Sequence, residues 1–140
     1  MIYFIIIMFL AFGLYNLRGI RERIIMINFN PIYNLILILA GLLYFYMTYK
    51  LSRGFASYLL AISGIFYLFT TFFCQGIADD GIFVLMGSSI IRKLSSSDIK
   101  EIKIDKEKFI ISIYADSTIY RQKYKKEDFP KVLEIIENFK

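Results

Sequence analysis

The sequence predicts a membrane α-helical N-terminal part of three spans, or two if the first is not retained, followed by an α+β cytoplasmic tail. The tail reads as an antiparallel β-meander closed by a C-terminal helix. Three observations carry that prediction. Of the 140 residues, 57% are hydrophobic, against about 45–50% in an ordinary soluble domain. Uncharged apolar runs long enough for a bilayer fill the first half of the chain. Beyond residue 76 the apolar period shortens to two, the repeat of a strand.

A hydrocarbon core about 30 Å thick takes roughly 20 apolar residues in a helix. Three runs approach that length: 1–17 (MIYFIIIMFLAFGLYNL), 32–49 (IYNLILILAGLLYFYMTY) and 55–74 (FASYLLAISGIFYLFTTFFC). None holds Asp, Glu, Lys or Arg. The first run lacks the basic start and small-x-small cleavage site of a signal peptide, so it is expected to be a retained span. Residues 1–75 therefore form the expected transmembrane region and 76–140 the expected cytoplasmic domain.

Orientation follows from the bases, which stay in the cytoplasm. The stretch RGIRER (18–23) holds three bases and one acid, which puts it inside. The N-terminus and the turn at 50–54, with Lys50 and Arg53, then fall outside, and everything after Cys74 falls inside. The tail's 12 bases against 11 acids agree with that side. Tyr15, Tyr33, Tyr49 and Tyr58 fall near span ends, where an amphipathic ring sits among headgroups. The residues between the first two spans (24–29, IIMINF) are expected to lie along the inner interface, and Pro31 suits the start of the second helix. The expected localisation is the cell membrane, multi-pass, with a cytoplasmic C-terminal domain.

Pumps and proton relays carry ionisable residues within their spans, and these spans carry none. Small residues at Gly54, Ser57, Ala61 and Gly64 recur at helical spacing and mark a helix-packing face, expected to meet the second span near Ala40 and Gly41 rather than a second copy.

In the tail, 81–86 (GIFVLM), 89–94 (SIIRKL), 99–105 (IKEIKID), 109–114 (FIISIY) and 118–124 (TIYRQKY) read as five strands separated by turns at 87–88, 106–108 and 115–117. Phe109, Ile111 and Ile113 share one face, and Tyr120, Gln122 and Tyr124 oppose Ile119, Arg121 and Lys123. The last segment, 127–139, changes period. Phe129, Val132, Leu133, Ile136 and Phe139 follow helical spacing, with Glu127 and Asp128 in the first turn and Pro130 close to the helix start.

This order of segments resembles the bacterial PH-like domains at the C-terminus of small membrane proteins of unknown function in low-GC Gram-positive bacteria. The residues that carry the resemblance are Gly76, Ile77, Gly81 and Ile82 for a G-I-x-x-x-G-I opening, Asp98, Ile99 and Ile102 in the middle, and 129–139 for the terminal helix. The resemblance covers about the last 65 residues. It implies a partial or complete PH-like barrel, complete at seven strands, and a binding or scaffolding role with no catalytic residues.

Other motifs have plainer readings. Asp79 and Asp80 fit a hairpin turn into Gly81 better than a cation site. Ser97 and Lys100 match S-x-x-K, but the companion motifs are missing. Ser95, Ser96 and Ser97 read as a polar loop rather than as modification sites. Cys74 is expected to pack. Having no His and one Cys, the chain excludes His-based catalysis, His metal sites and an intrachain disulfide. No metal or other cofactor is expected.

Lys106, Lys108, Lys123, Lys125 and Lys126 are the candidate contacts to lipid or a partner, although Asp105, Glu107, Glu127 and Asp128 interleave with them. The expected partners are the lipid bilayer and a protein partner or a second copy. Nucleic acid is excluded by the near-neutral tail. The expected function is non-enzymatic: an integral membrane protein presenting an interaction or scaffold domain at the inner leaflet. The alternative is a bacteriocin-type self-immunity protein, a class that includes short, hydrophobic, multi-span chains with basic loops.

Overall fold

The structure, a computed structural model, describes residues 1–51, 54–87 and 90–139, the side chains of Tyr33 and Leu51 excepted. Three long helices come first: α1 (Ile2–Glu22), α2 (Pro31–Leu51) and α3 (Phe55–Cys74). By length and composition α1 and α3 suffice to cross a membrane, and α2 contributes the shorter apolar run Asn34–Lys50. Helix α1 continues through the basic RGIRE stretch, five residues past the expected end of the first run. The expected exterior turn includes Ser52 and Arg53, which lie outside the described residues.

Helices α1 and α3 run parallel. Gly13, Asn16 and Gly19 of α1 meet Phe66, Thr71 and Cys74 of α3 in that order. A Cβ at Gly19 would lie 2.5 Å from the Cys74 Sγ, so glycine is what allows the helices so close. Helix α2 runs the other way along α3, with Gly41 facing Ile65 and Phe69 and Phe45 packing on Tyr58. The C-terminal ends of α1 and α3 therefore lie at the same end of the bundle.

A strand leaves each of those ends. Strand β1 (Arg23–Met26) follows α1 directly, β2 (Gly76–Ala78) follows α3, and the two pair antiparallel. The sequence reading of 24–29 as an interfacial stretch missed this pairing, because four residues carry too little pattern to declare a strand. Strands β3 (Gly81–Met86) and β4 (Ile90–Leu94) complete a four-stranded sheet in the order β1-β2-β3-β4.

A second sheet holds β5 (Ile99–Asp105), β6 (Ile110–Ala115) and β7 (Thr118–Lys123), all antiparallel. The expected single meander is thus divided in two. The break falls at the 3-10 turn Ser96–Asp98, where the Ser95 hydroxyl and N–H both donate to the Asp98 carboxylate at 2.7 and 2.9 Å. This capping box turns the chain away from β4 before β5 begins. Of the expected turns, 87–88 includes Ser88, which lies outside the described residues together with Ser89.

Helix α4 (Phe129–Glu137) closes the fold, with Pro130 in its first turn. The described residues thus form four α-helices and seven strands. The core joins both sheets and α4, through Ile25, Ile77 and Ile82 from the first sheet, Ile111 and Ile113 from the second, and Val132 and Ile136 from the helix. The expected alternation in 118–124 is present: Gln122 and Tyr124 are buried, while Ile119, Arg121 and Lys123 are exposed.

Candidate functional site

The five candidate lysines lie at one end of the second sheet. Lys106 and Lys108 belong to the β5–β6 turn, and Lys123 ends β7 with Lys125 and Lys126 just beyond. The Tyr124 N–H donates to the Phe109 carbonyl at 2.9 Å, which brings the two segments side by side. Phe109 holds a φ of 56°, a left-handed turn conformation, and its ring packs edge-on against Phe129 at 5.4 Å. All five lysines are exposed, and none is in an ion pair among the described residues. Asp105, Glu107 and Glu127 are likewise exposed and Asp128 is half-buried, and none of the four is in an ion pair among the described residues, so the end is a mixed surface with one more cation than anion among these nine.

A second contact relates that end to the helices. The Asn28 N–H, between β1 and α2, donates to the Lys123 carbonyl at 2.6 Å. Lys123 therefore lies beside the chain as it turns into α2. Sequence reasoning missed this because the partners are 95 residues apart.

Beneath this surface, the sheets are tied by buried polar groups. Gln122 donates from Nε2 to the Phe83 carbonyl at 2.7 Å, across the two sheets, and its Oε1 accepts from the Tyr124 hydroxyl. Burial pushes the Tyr124 phenol well above its ordinary pKa. On the outside, Arg92 of β4 pairs with Asp116 at 2.8 Å and Asp98 at 3.5 Å. Lys93 pairs with Asp80 at 2.7 Å and with Glu22, at the end of α1, at 3.2 Å. The Lys93 hydrogen bond holds the Asp80 carboxyl below the usual carboxylate range, and Asp80 in turn raises Lys93.

The small-residue face divides. Ala61 and Gly64 are buried, and Gly64 sits between Tyr44 of α2 and Phe9 of α1. Ser57 is half-buried and Gly54 is exposed. Helix α3 packs mainly on α1, whose Gly13 and Gly19 admit it more closely than Gly41 of α2 does.

Asp79 and Asp80 form the two-residue turn between β2 and β3. Ser97 lies in the 3-10 turn, while the Lys100 Nζ donates to the Asp116 carbonyl, so the S-x-x-K residues do not form a catalytic pair. Cys74 is buried against Gly19. No group of three or more metal-ligating side chains occurs among the described residues.

The arrangement offers a charged, exposed end attached to the helices through β1 and through the Asn28–Lys123 hydrogen bond. Comparison with protein-family models, curated proteins and solved structures finds no match to this chain.

Proposed function

We propose that the chain is a non-enzymatic integral membrane protein whose sheets form a PH-like interaction domain held at the inner leaflet of the cell membrane. The observation that carries this reading is the pairing of β1 with β2. Because α1 and α3 run parallel and each feeds one of these strands, the sheets are anchored at two points on one end of the helical bundle. A domain so attached keeps a fixed position relative to a bilayer crossed by those helices.

Exposure supports the membrane part of the reading. Only 22% of the apolar window in α1 and 33% of that in α3 are buried, where the core helix of a water-soluble protein would be mostly covered. Ile7, Leu14 and Leu42 are each more than 60% exposed, a surface that suits lipid and not water. Six strands, β2 to β7, and the terminal helix lie within the region of the resemblance, and β1, from between α1 and α2, brings the number to the seven of a complete PH-like barrel. The lysine end next to the start of α2 supports contact with anionic headgroups.

The test uses the full chain, because β1 precedes residue 76 and a tail cut there would lack a strand. Membranes from expressing cells are washed with alkaline carbonate and a C-terminal tag is probed from each side. Retention in the membrane with the tag accessible only from the cytoplasm is the expected result. Release into the supernatant, or a tag reached from outside, overturns the reading. Protection of a sensitive host against a bacteriocin would replace it with self-immunity.

A further inference from the structure

An apolar groove of about 770 Å³ runs between α1 and β4, lined by Met8, Phe12 and Tyr15, by Tyr67 of α3, and by Ile90 and Ile91 of β4. Tyr15 also borders a charged hollow of about 270 Å³ that continues toward the end of α1 between Arg18, Glu22 and Lys93. Together they make a slot with a greasy length and a charged mouth.

The slot has the dimensions of one leaflet. From Met8 to Arg18 the helix rises about 15 Å, half of a hydrocarbon core about 30 Å thick. With Arg18 at the headgroups, Met8 reaches the middle of the bilayer. The polarity also runs the right way, since the charged mouth lies on the side of the sheets. The opposite wall is compatible with hydrocarbon where Ile90 and Ile91 form it, and Ile90 is 54% exposed.

The mouth suits an anion. The Arg18 side chain is 80% exposed and engages Glu22 through Nε alone, which leaves its other N–H donors for a phosphate oxygen. Of the charged residues that line the hollow, Arg18 and Lys93 stand against Glu22, and Lys93 is held by Glu22 and Asp80, so Arg18 is the cation with donors left for a headgroup.

We infer that the groove binds one anionic phospholipid of the leaflet facing the sheets, its acyl chain along α1 and its headgroup at Arg18. The inference rests on the membrane reading above. The chain has no Trp, so Ile90→Trp, or Phe12→Trp on the opposite wall, is a lone reporter of the groove. The full chain is reconstituted into phosphatidylcholine vesicles that contain an equal fraction of either brominated phosphatidylglycerol or brominated phosphatidylcholine.

The protein is expected to float with the vesicles. Both reporters should be quenched about fivefold more effectively by the anionic lipid, and Arg18→Gln should abolish that preference. Equal quenching by the two lipids, or a preference that survives Arg18→Gln, overturns the lipid site and leaves the membrane reading standing. Failure to float overturns both.

Discussion

Arg23, the first residue of β1, donates a hydrogen bond from its guanidinium to the carbonyl of Phe73 in the last turn of α3, with the Gln75 carbonyl 3.5 Å away. The carbonyls at a helix C-terminus have no partner within the helix, and a cation there also meets the negative end of the dipole. One side chain thus closes α3 and holds the strand that leaves α1 against it. Partial burial lowers the pKa of Arg23.

Replacing Arg23 with Met should remove this closure and destabilise the fold by about 1–3 kcal/mol, the cost of leaving a carbonyl unpaired. Arg23→Lys should recover only part of the loss, because a single ammonium does not reproduce the planar fork. Denaturant unfolding of the detergent-solubilised chain measures both.

Gly76 has a φ of 148°, and a Cβ there would run into the Ile25 carbonyl oxygen across the β1–β2 pair. Gly76→Ala should therefore push β1 from β2 and cost at least about 1–3 kcal/mol from backbone strain alone. Hydrogen exchange at Ile25 and Ile77 should rise first, before exchange in β6.

The Gln122 bridge makes a coupled prediction. Tyr124→Phe removes one donor to Gln122 and should cost about 1 kcal/mol. Gln122→Leu strands both the Phe83 carbonyl and the Tyr124 hydroxyl and should cost more, about 1–3 kcal/mol. The double variant should be less destabilised than the two single losses added together, since its second change removes a group already left unpaired. A double-mutant cycle by thermal unfolding checks this.

Stability should be level through neutral pH and fall at both extremes. Asp80, hydrogen-bonded by Lys93, and Asp98, hydrogen-bonded by the Ser95 hydroxyl and N–H, have lowered pKa values. Their contribution is complete above the unfolded aspartate value and is lost as pH falls through the folded one. Lys93 is raised, so its contribution is complete below the unfolded lysine value and is lost as pH rises through the folded one. With no His in the chain, no histidine step intervenes. Unfolding across pH should show a smaller acid decline in Asp98→Asn than in the parent; an unchanged decline would contradict the assignment.

Local pattern made several parts of this fold legible. The apolar runs found α1, α2 and α3, short β-like runs bounded by turns found β3 and β4, alternation found β5 to β7, and the spacing of Phe129, Val132 and Ile136 found α4. Alternation set Gln122 and Tyr124 on one face, opposite Ile119, Arg121 and Lys123, and the structure makes theirs the inward one. By contrast, β2 is three residues long and β1 four, too short for a period to register. The lysine end was named residue by residue, yet its position beside the chain entering α2 rests on a single backbone hydrogen bond that leaves no trace in composition.

The sequence by itself determined the four helices and the five longer strands, because those elements arise from neighbours within a few residues. Only the tertiary structure decided that α3 packs closest to α1, that the strands divide into two sheets, and that a strand from between the first two helices joins the first sheet. Each of those outcomes depends on side chains and backbone groups brought together from distant parts of the chain, such as Gly19 with Cys74 and Arg23 with Phe73, and no local periodicity encodes such meetings.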